Sequence, residues 1–260
     1  MKLKDFAYKE IVLNSGMIEV PREVYQRTFN SKRAQKIARE FDERIANEPK
    51  VSFRDGRYYV FDGQHTIAAR KICNNNEDLP IKCKVYYGMT EQDEALLFAQ
   101  QTGVSSPLSA GARIRALVFG GDADALAFKA ATESVGLVLD YDQQRGMKRI
   151  GCIQTAFDAF KRIGDERYKE AMTLIGAAWH GAPDSFRSEN VLGITHFVDL
   201  YHEEYNRHRL ITQLRHVDPL TIYREGRATG TNLAGYKKYL FQVYRIYNGS
   251  GKRNALPMKF

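Results

Sequence analysis

Three cysteines in 260 residues, Cys73, Cys83 and Cys152, are too few and too far apart for a disulfide framework or a CxxC metal knuckle. An odd cysteine count without a leader fits a reducing cytoplasm, the expected location. No apolar run is long enough to span a membrane, and Met1–Glu10 lacks the apolar core of a signal peptide. The six histidines form no HExxH or other ligand spacing, so no metal site is read from them; His196, on an apolar stretch, reads as a core or boundary histidine. Internal repeats and low-complexity segments are also missing. Chain length allows one large or two small domains, each with its own core.

Charge is present and unevenly spread. The net charge is +8, with +4 over residues 1–118, −5 over 119–206 and +9 over 207–260. The last block interleaves Arg224, Arg227, Lys237, Lys238, Arg245, Lys252 and Arg253 with Tyr223, Tyr236, Tyr239, Phe241, Tyr244 and Tyr247. Cations neutralise phosphates and rings stack on bases, so these seven residues are candidates for nucleic-acid binding. The plainer reading is a tyrosine-rich core helix with a solvated basic face.

Patterning predicts short strands within 10–20, a helix over 31–46, and a hairpin closed by Asp55-Gly56. A helix over 65–73 and a strand from 81 to 87 follow. Thr90 and Asp93 form a capping box for a helix reaching about 102, and Ser109 caps another. Strand signals then fade. Helices are read at 122–135, 150–163, 165–179, 190–206 and 231–247. The fold class expected is α+β over residues 1–118, followed by an all-helical domain over 119–260.

The hairpin's second arm runs directly into Asp62-Gly63-Gln64-His65-Thr66. A strand ending at a helix start offers unpaired N–H groups and the positive end of the helix dipole to an anion. Gly63 permits close backbone approach, and His65 adds a titratable group. The alternative is an ordinary strand-to-helix turn with Asp62 as the helix cap.

The order of these features, with Tyr25-Gln26-Arg27 upstream and Gln100-Gln101 and Ser106-Pro107-Leu108-Ser109 downstream, resembles the ParB/sulfiredoxin-like superfamily over residues 10–118. It is nearest to the "ParB-like nuclease" proteins of phages and mobile elements with their Asp-Gly-Gln-His-Arg signature. The resemblance implies a nucleotide or nucleic-acid phosphate held by Gly63, Gln64, His65 and Thr66, with Arg70 and Arg27 as further contacts. It implies a DNA-associated protein that binds a nucleoside triphosphate. If the protein is an enzyme (nuclease, NTPase or small-molecule kinase), the candidates are His65, Asp62 and Glu94, with Mg²⁺. Arg27 and Glu94 also read as ordinary surface charges.

This chain departs from the family at three places. Thr66 replaces the arginine after the histidine. Gln64 stands where sulfiredoxin has its reactive cysteine, and Gln100-Gln101 replaces the Glu-Asn pair of ParB CTPases. The third reading is a non-catalytic partner-binding protein, with the acidic 119–206 block as a docking or homo-oligomer surface.

Overall fold

Asp55 and Gly56 both adopt positive φ, 51° and 76°. Such a two-residue turn matches the right-handed twist of the strands it joins. It closes β3 (Lys50–Arg54) onto β4 (Arg57–Asp62) in antiparallel register. Around this hairpin the computed structural model builds one mixed sheet, and it describes residues 5–21, 25–26, 29–100, 108–228, 233–249 and 255–260. β1 (Tyr8–Asn14) pairs antiparallel with β5 (Pro80–Tyr87), β5 lies parallel to β3, and β2 (Ile18–Glu19) lies parallel to β4. The order is β1-β5-β3-β4-β2.

Strand alternation sends neighbouring side chains to opposite faces. Val60 joins Leu13, Val51, Ile81 and Val85 on one face, where Ile67 of α2 (Gln64–Cys73) covers them. Phe61 joins Ala95 and Phe98 of α3 (Glu91–Ala99) and Ala116 of α4 (Ala110–Phe119) on the other. α1 (Ser31–Arg39) packs on α2. Thr90 and Asp93 make the reciprocal capping box, and Ser109 caps α4.

The chain divides into two compact units, Met1–Asp122 and Ala123–Phe260. The second contains α5 (Ala123–Ser134), α6 (Ile153–Trp179), α7 (Ser188–Leu200), α8 (Arg207–Arg215), α9 (Thr221–Ala228) and α10 (Lys237–Asn248). α6 is interrupted at Gly164, whose φ of 78° and ψ of 173° are not helical. α7 and α10 approach closely because Gly193 has no side chain: a Cβ there would lie 2.9 Å from the Tyr239 carbonyl oxygen.

Several expectations are corrected. The second unit is not all-helical: β6 (Val138–Leu139) and β7 (Arg149–Ile150) form a short parallel pair. The helix expected over 31–46 stops at Arg39, and the one expected over 190–206 stops at Leu200. α8 and α9 were not anticipated. Among the described residues no helix is long and apolar enough to cross a membrane.

Candidate functional site

Gly63 is the N-cap of α2, with φ 101° and ψ 11°, and no side chain caps the helix. Asp62 therefore does not serve as the cap. It stands opposite Lys50 across the hairpin, and the Lys50 ammonium donates to its carboxylate at 3.1 Å. Gly63 also lies against Pro49: a Cβ at position 63 would be 3.0 Å from the Pro49 Cα. The turn is thus held from below by the start of β3 and open above.

Above it is a cavity of about 60 Å³ lined by Asp62, Gly63, Gln64, His65 and Thr66 from the turn, with Arg33 and Glu48 also in its wall. That space takes a few water molecules or one phosphate-sized group. Gln64 and His65 are buried. The His65 ring stacks on Phe29 at 5.3 Å, 15° between planes, and its Nε2 accepts the Asn30 backbone N–H at 3.2 Å. An accepting Nε2 places the imidazole proton on Nδ1. Asn30 is itself the N-cap of α1, its side chain accepting the Arg33 N–H at 3.0 Å. One hydrogen bond therefore links the starts of α1 and α2 and sets them around the same space.

Arg33 is the residue that sequence reasoning missed. In the sequence it is one of five cations, with Lys32, Lys36, Arg39 and Arg44, within the helix read over 31–46. In the structure it occupies the first turn of α1, which carries no acid. A cation at that end opposes the helix dipole. Its guanidinium has no ion-pair partner among the described residues, and it lines the cavity. The signal available in sequence was this placement of Lys32 and Arg33 immediately after an N-cap asparagine.

The other candidates fall elsewhere. Arg70 does not line the cavity; it is buried, its Nη2 pairs with Glu43 at 2.7 Å, and it packs over Phe41. Glu94 is fully buried rather than a surface charge, and it also lies outside the cavity lining. Its carboxylate accepts the Tyr25 hydroxyl at 2.6 Å and the Arg54 Nε–H at 2.9 Å. Gln26 lines the cavity and donates to the Val60 carbonyl. Arg27, Lys252 and Arg253 lie outside the described residues.

No group of three or more His, Cys, Asp or Glu among the described residues is placed to hold a metal ion. Burial pushes the Cys83 thiol up to about 11 and the Cys152 thiol up to about 12, so neither is a thiolate at neutral pH.

In the second unit Arg224, Arg227, Lys237, Lys238 and Arg245 lie on α9 and α10. Most of the interleaved rings are occupied. Tyr247 is in the core, and Tyr244 donates to the Leu256 carbonyl at 3.1 Å. Arg227 donates to Tyr223, Lys238 lies over Tyr239, and Arg245 pairs with Glu225 at 3.7 Å. Tyr236, the exposed member, stacks on His196 at 3.7 Å.

Burial first, then the nearby Arg162 charge, pushes the His196 imidazole down to about 4. The unfolded imidazole takes up its proton near 6.5, so between those values the unfolded chain binds more protons than the folded one. Stability is therefore expected to fall as pH drops from about 6.5 towards about 4. Melting curves of wild type and His196→Gln across that window check this. The variant should show the shallower acid-side slope, and equal slopes would remove His196 as the source.

A family model described as "Family of unknown function (DUF6551)" matches residues 20–260. The chain belongs to the DUF6551 family. No curated protein and no solved structure matches it. The DUF6551 match takes in the Gly63 turn, the Arg33 cavity and the whole second unit, and it begins after β1.

Proposed function

We propose that this DUF6551 protein binds phosphate groups of a nucleotide or nucleic acid at the start of α2, and that it is a DNA-associated protein of ParB/sulfiredoxin-like type from a phage or mobile element. The observation that carries the reading is the convergence on one small cavity of an uncapped helix start, an αL glycine and Arg33, which has no ion-pair partner among the described residues. Backbone N–H groups and an arginine are complementary to a phosphate in charge and geometry. The cavity takes a phosphate, not a whole nucleotide, so the sugar and base would lie outside it.

Binding is favoured over hydrolysis. The residues do not fit a Mg²⁺ cradle: two carboxylates line the cavity, Asp62 and Glu48, and each is engaged by a lysine, Lys50 at 3.1 Å and Lys82 at 3.0 Å. Glu94 is engaged by Arg54 and Tyr25.

Calorimetric titration with ATP, CTP and GTP, with and without Mg²⁺, tests the reading on wild type, Arg33→Gln and His65→Ala. One nucleotide should bind, and Arg33→Gln should weaken it on the order of tenfold. Absence of binding to folded protein would overturn the nucleotide reading. A DNA affinity that does not fall with salt would overturn the nucleic-acid one.

A further inference from the structure

The second unit holds a larger cavity, about 330 Å³, between the starts of α6 and α7 and the connection from β6 to β7. Arg145, Arg149 and Arg187 line it together with Gln143, Asp184 and Glu189. Arg187 lies 3.5 Å from Asp184 and 3.4 Å from Glu189, so the lining sets three arginines against two carboxylates. The guanidinium groups of Arg145 and Arg149 have no ion-pair partner among the described residues. Two arginines outside those ion pairs therefore face one concave space.

The local fold explains how they arrive there. β6 and β7 are parallel but only nine residues apart, shorter than the dozen or more that a parallel crossover ordinarily takes. The connection manages this by placing Gln143, Arg145 and Lys148 at positive φ. The Arg145 backbone N–H is fixed by the buried Asp140 carboxylate at 2.8 Å, which leaves its side chain to the cavity. Gly146 lets Arg149 lie close across the loop, since a Cβ there would be 3.0 Å from Arg149 Cδ.

The opposite wall adds two helix starts, beside the Asp184 and Glu189 carboxylates. Neither α6 nor α7 has a side-chain cap, and the N-cap residues of both, Cys152 and Arg187, line the cavity. The Cys152 thiol donates to the Phe186 carbonyl at 3.3 Å and ties the two helix starts together. Their dipoles point positive ends at the space the arginines face.

We infer that this cavity is a second anion site, for the phosphate or diphosphate group of a small phosphorylated compound. Paired arginines suit phosphate because their planar forks match its oxygens. The volume reaches the lower end of small-molecule pockets, about 300–1,000 Å³, so it accommodates more than a lone ion.

The test is calorimetric titration of the full chain with sodium pyrophosphate at low ionic strength. Wild type, Arg145→Gln/Arg149→Gln and Arg145→Lys/Arg149→Lys are compared, each first checked for an unchanged melting temperature. The glutamine pair should weaken binding by about tenfold or more, and the lysine pair should recover part of it. A parallel titration of His65→Ala separates the α2 turn, whose loss should leave the Arg145-dependent component in place.

Competition by a nucleoside diphosphate, without competition by a 5′-phosphorylated oligonucleotide, assigns the phosphate to a free compound. Competition by the oligonucleotide assigns it to a strand end; both support the anion site. No pyrophosphate binding, or binding indifferent to the glutamine pair in folded protein, overturns it.

Discussion

Glu94→Ala is expected to destabilise the N-terminal unit by about 3–5 kcal/mol, the range for removing one partner of a buried ion pair. Glu94 has no exposure, and both of its oxygens are engaged. Arg54 also donates to Glu91 at 2.6 Å and stacks on Tyr59 at 3.7 Å, so its guanidinium cannot easily turn to solvent. Burial, followed by the Glu94 charge, pushes the Tyr25 phenol well above its ordinary range, so it remains a donor.

Alanine at 94 would leave the Arg54 Nε–H and the fully buried Tyr25 hydroxyl without their acceptor, while the Arg54 Nη2 keeps Glu91. Urea unfolding of Glu94→Ala, Arg54→Met and the double variant reads the coupling, and the double variant should recover part of the loss. A loss under about 1 kcal/mol for Glu94→Ala would mean the pair is not structural. A Glu94→Gln protein with wild-type stability and abolished turnover would return Glu94 to a chemical role.

Gly63→Ala is expected to cost about 2–4 kcal/mol, from two separate sources. The backbone at φ 101° disfavours any L side chain, and the new methyl would press on Pro49 at 3.0 Å. Gly56→Ala separates the two effects, because its φ of 76° carries the first without any atom within 4 Å to supply the second. It should cost about 1–2 kcal/mol. Equal losses at the two positions would show that the Pro49 contact yields freely. Because Gly63 sets the entry to α2, the same substitution should also reduce phosphate binding in whatever protein remains folded.

These two residues show what could be read from the sequence and what could not. Asp55-Gly56, the Thr90–Asp93 box and the Ser109 cap are contacts within a few residues, and each stands where its spacing placed it. Gly164 was legible as a break for the same reason.

The helix from Ser31 was read too long because Phe41 and Ile45 continue its apolar spacing. Phe41 instead packs with Arg70, and Ile45 is exposed. α8 and α9 were invisible because they bury so little: Leu210 and Leu214 in one, Ile222 and Gly226 in the other. Two-residue strands such as β6 and β7 have no period to detect.

At the candidate site the Asp62–Thr66 turn was legible, but its environment was not. The Asn30–His65 bond spans 35 residues, and Arg33 gains its meaning only through it. Glu94 was singled out as a carboxylate in the right neighbourhood. Nothing local says that Tyr25 and Arg54, 69 and 40 residues away, would consume it.

The pairing of β1 with β5 has a consequence for synthesis on the ribosome. Asn14 of β1 is matched to Pro80, and Tyr8 to Tyr86. At roughly 5–20 residues per second, the first strand waits several seconds for its partner to emerge. During that interval its backbone is an unpaired edge, the kind of surface that recruits other chains. Lys9 and Glu10 put charge on that edge, while Tyr8 and Val12 leave apolar surface on it and Leu13 is the one buried position in the strand. The strand that forms the sheet's border in the finished protein is thus the one a nascent chain leaves unpaired longest.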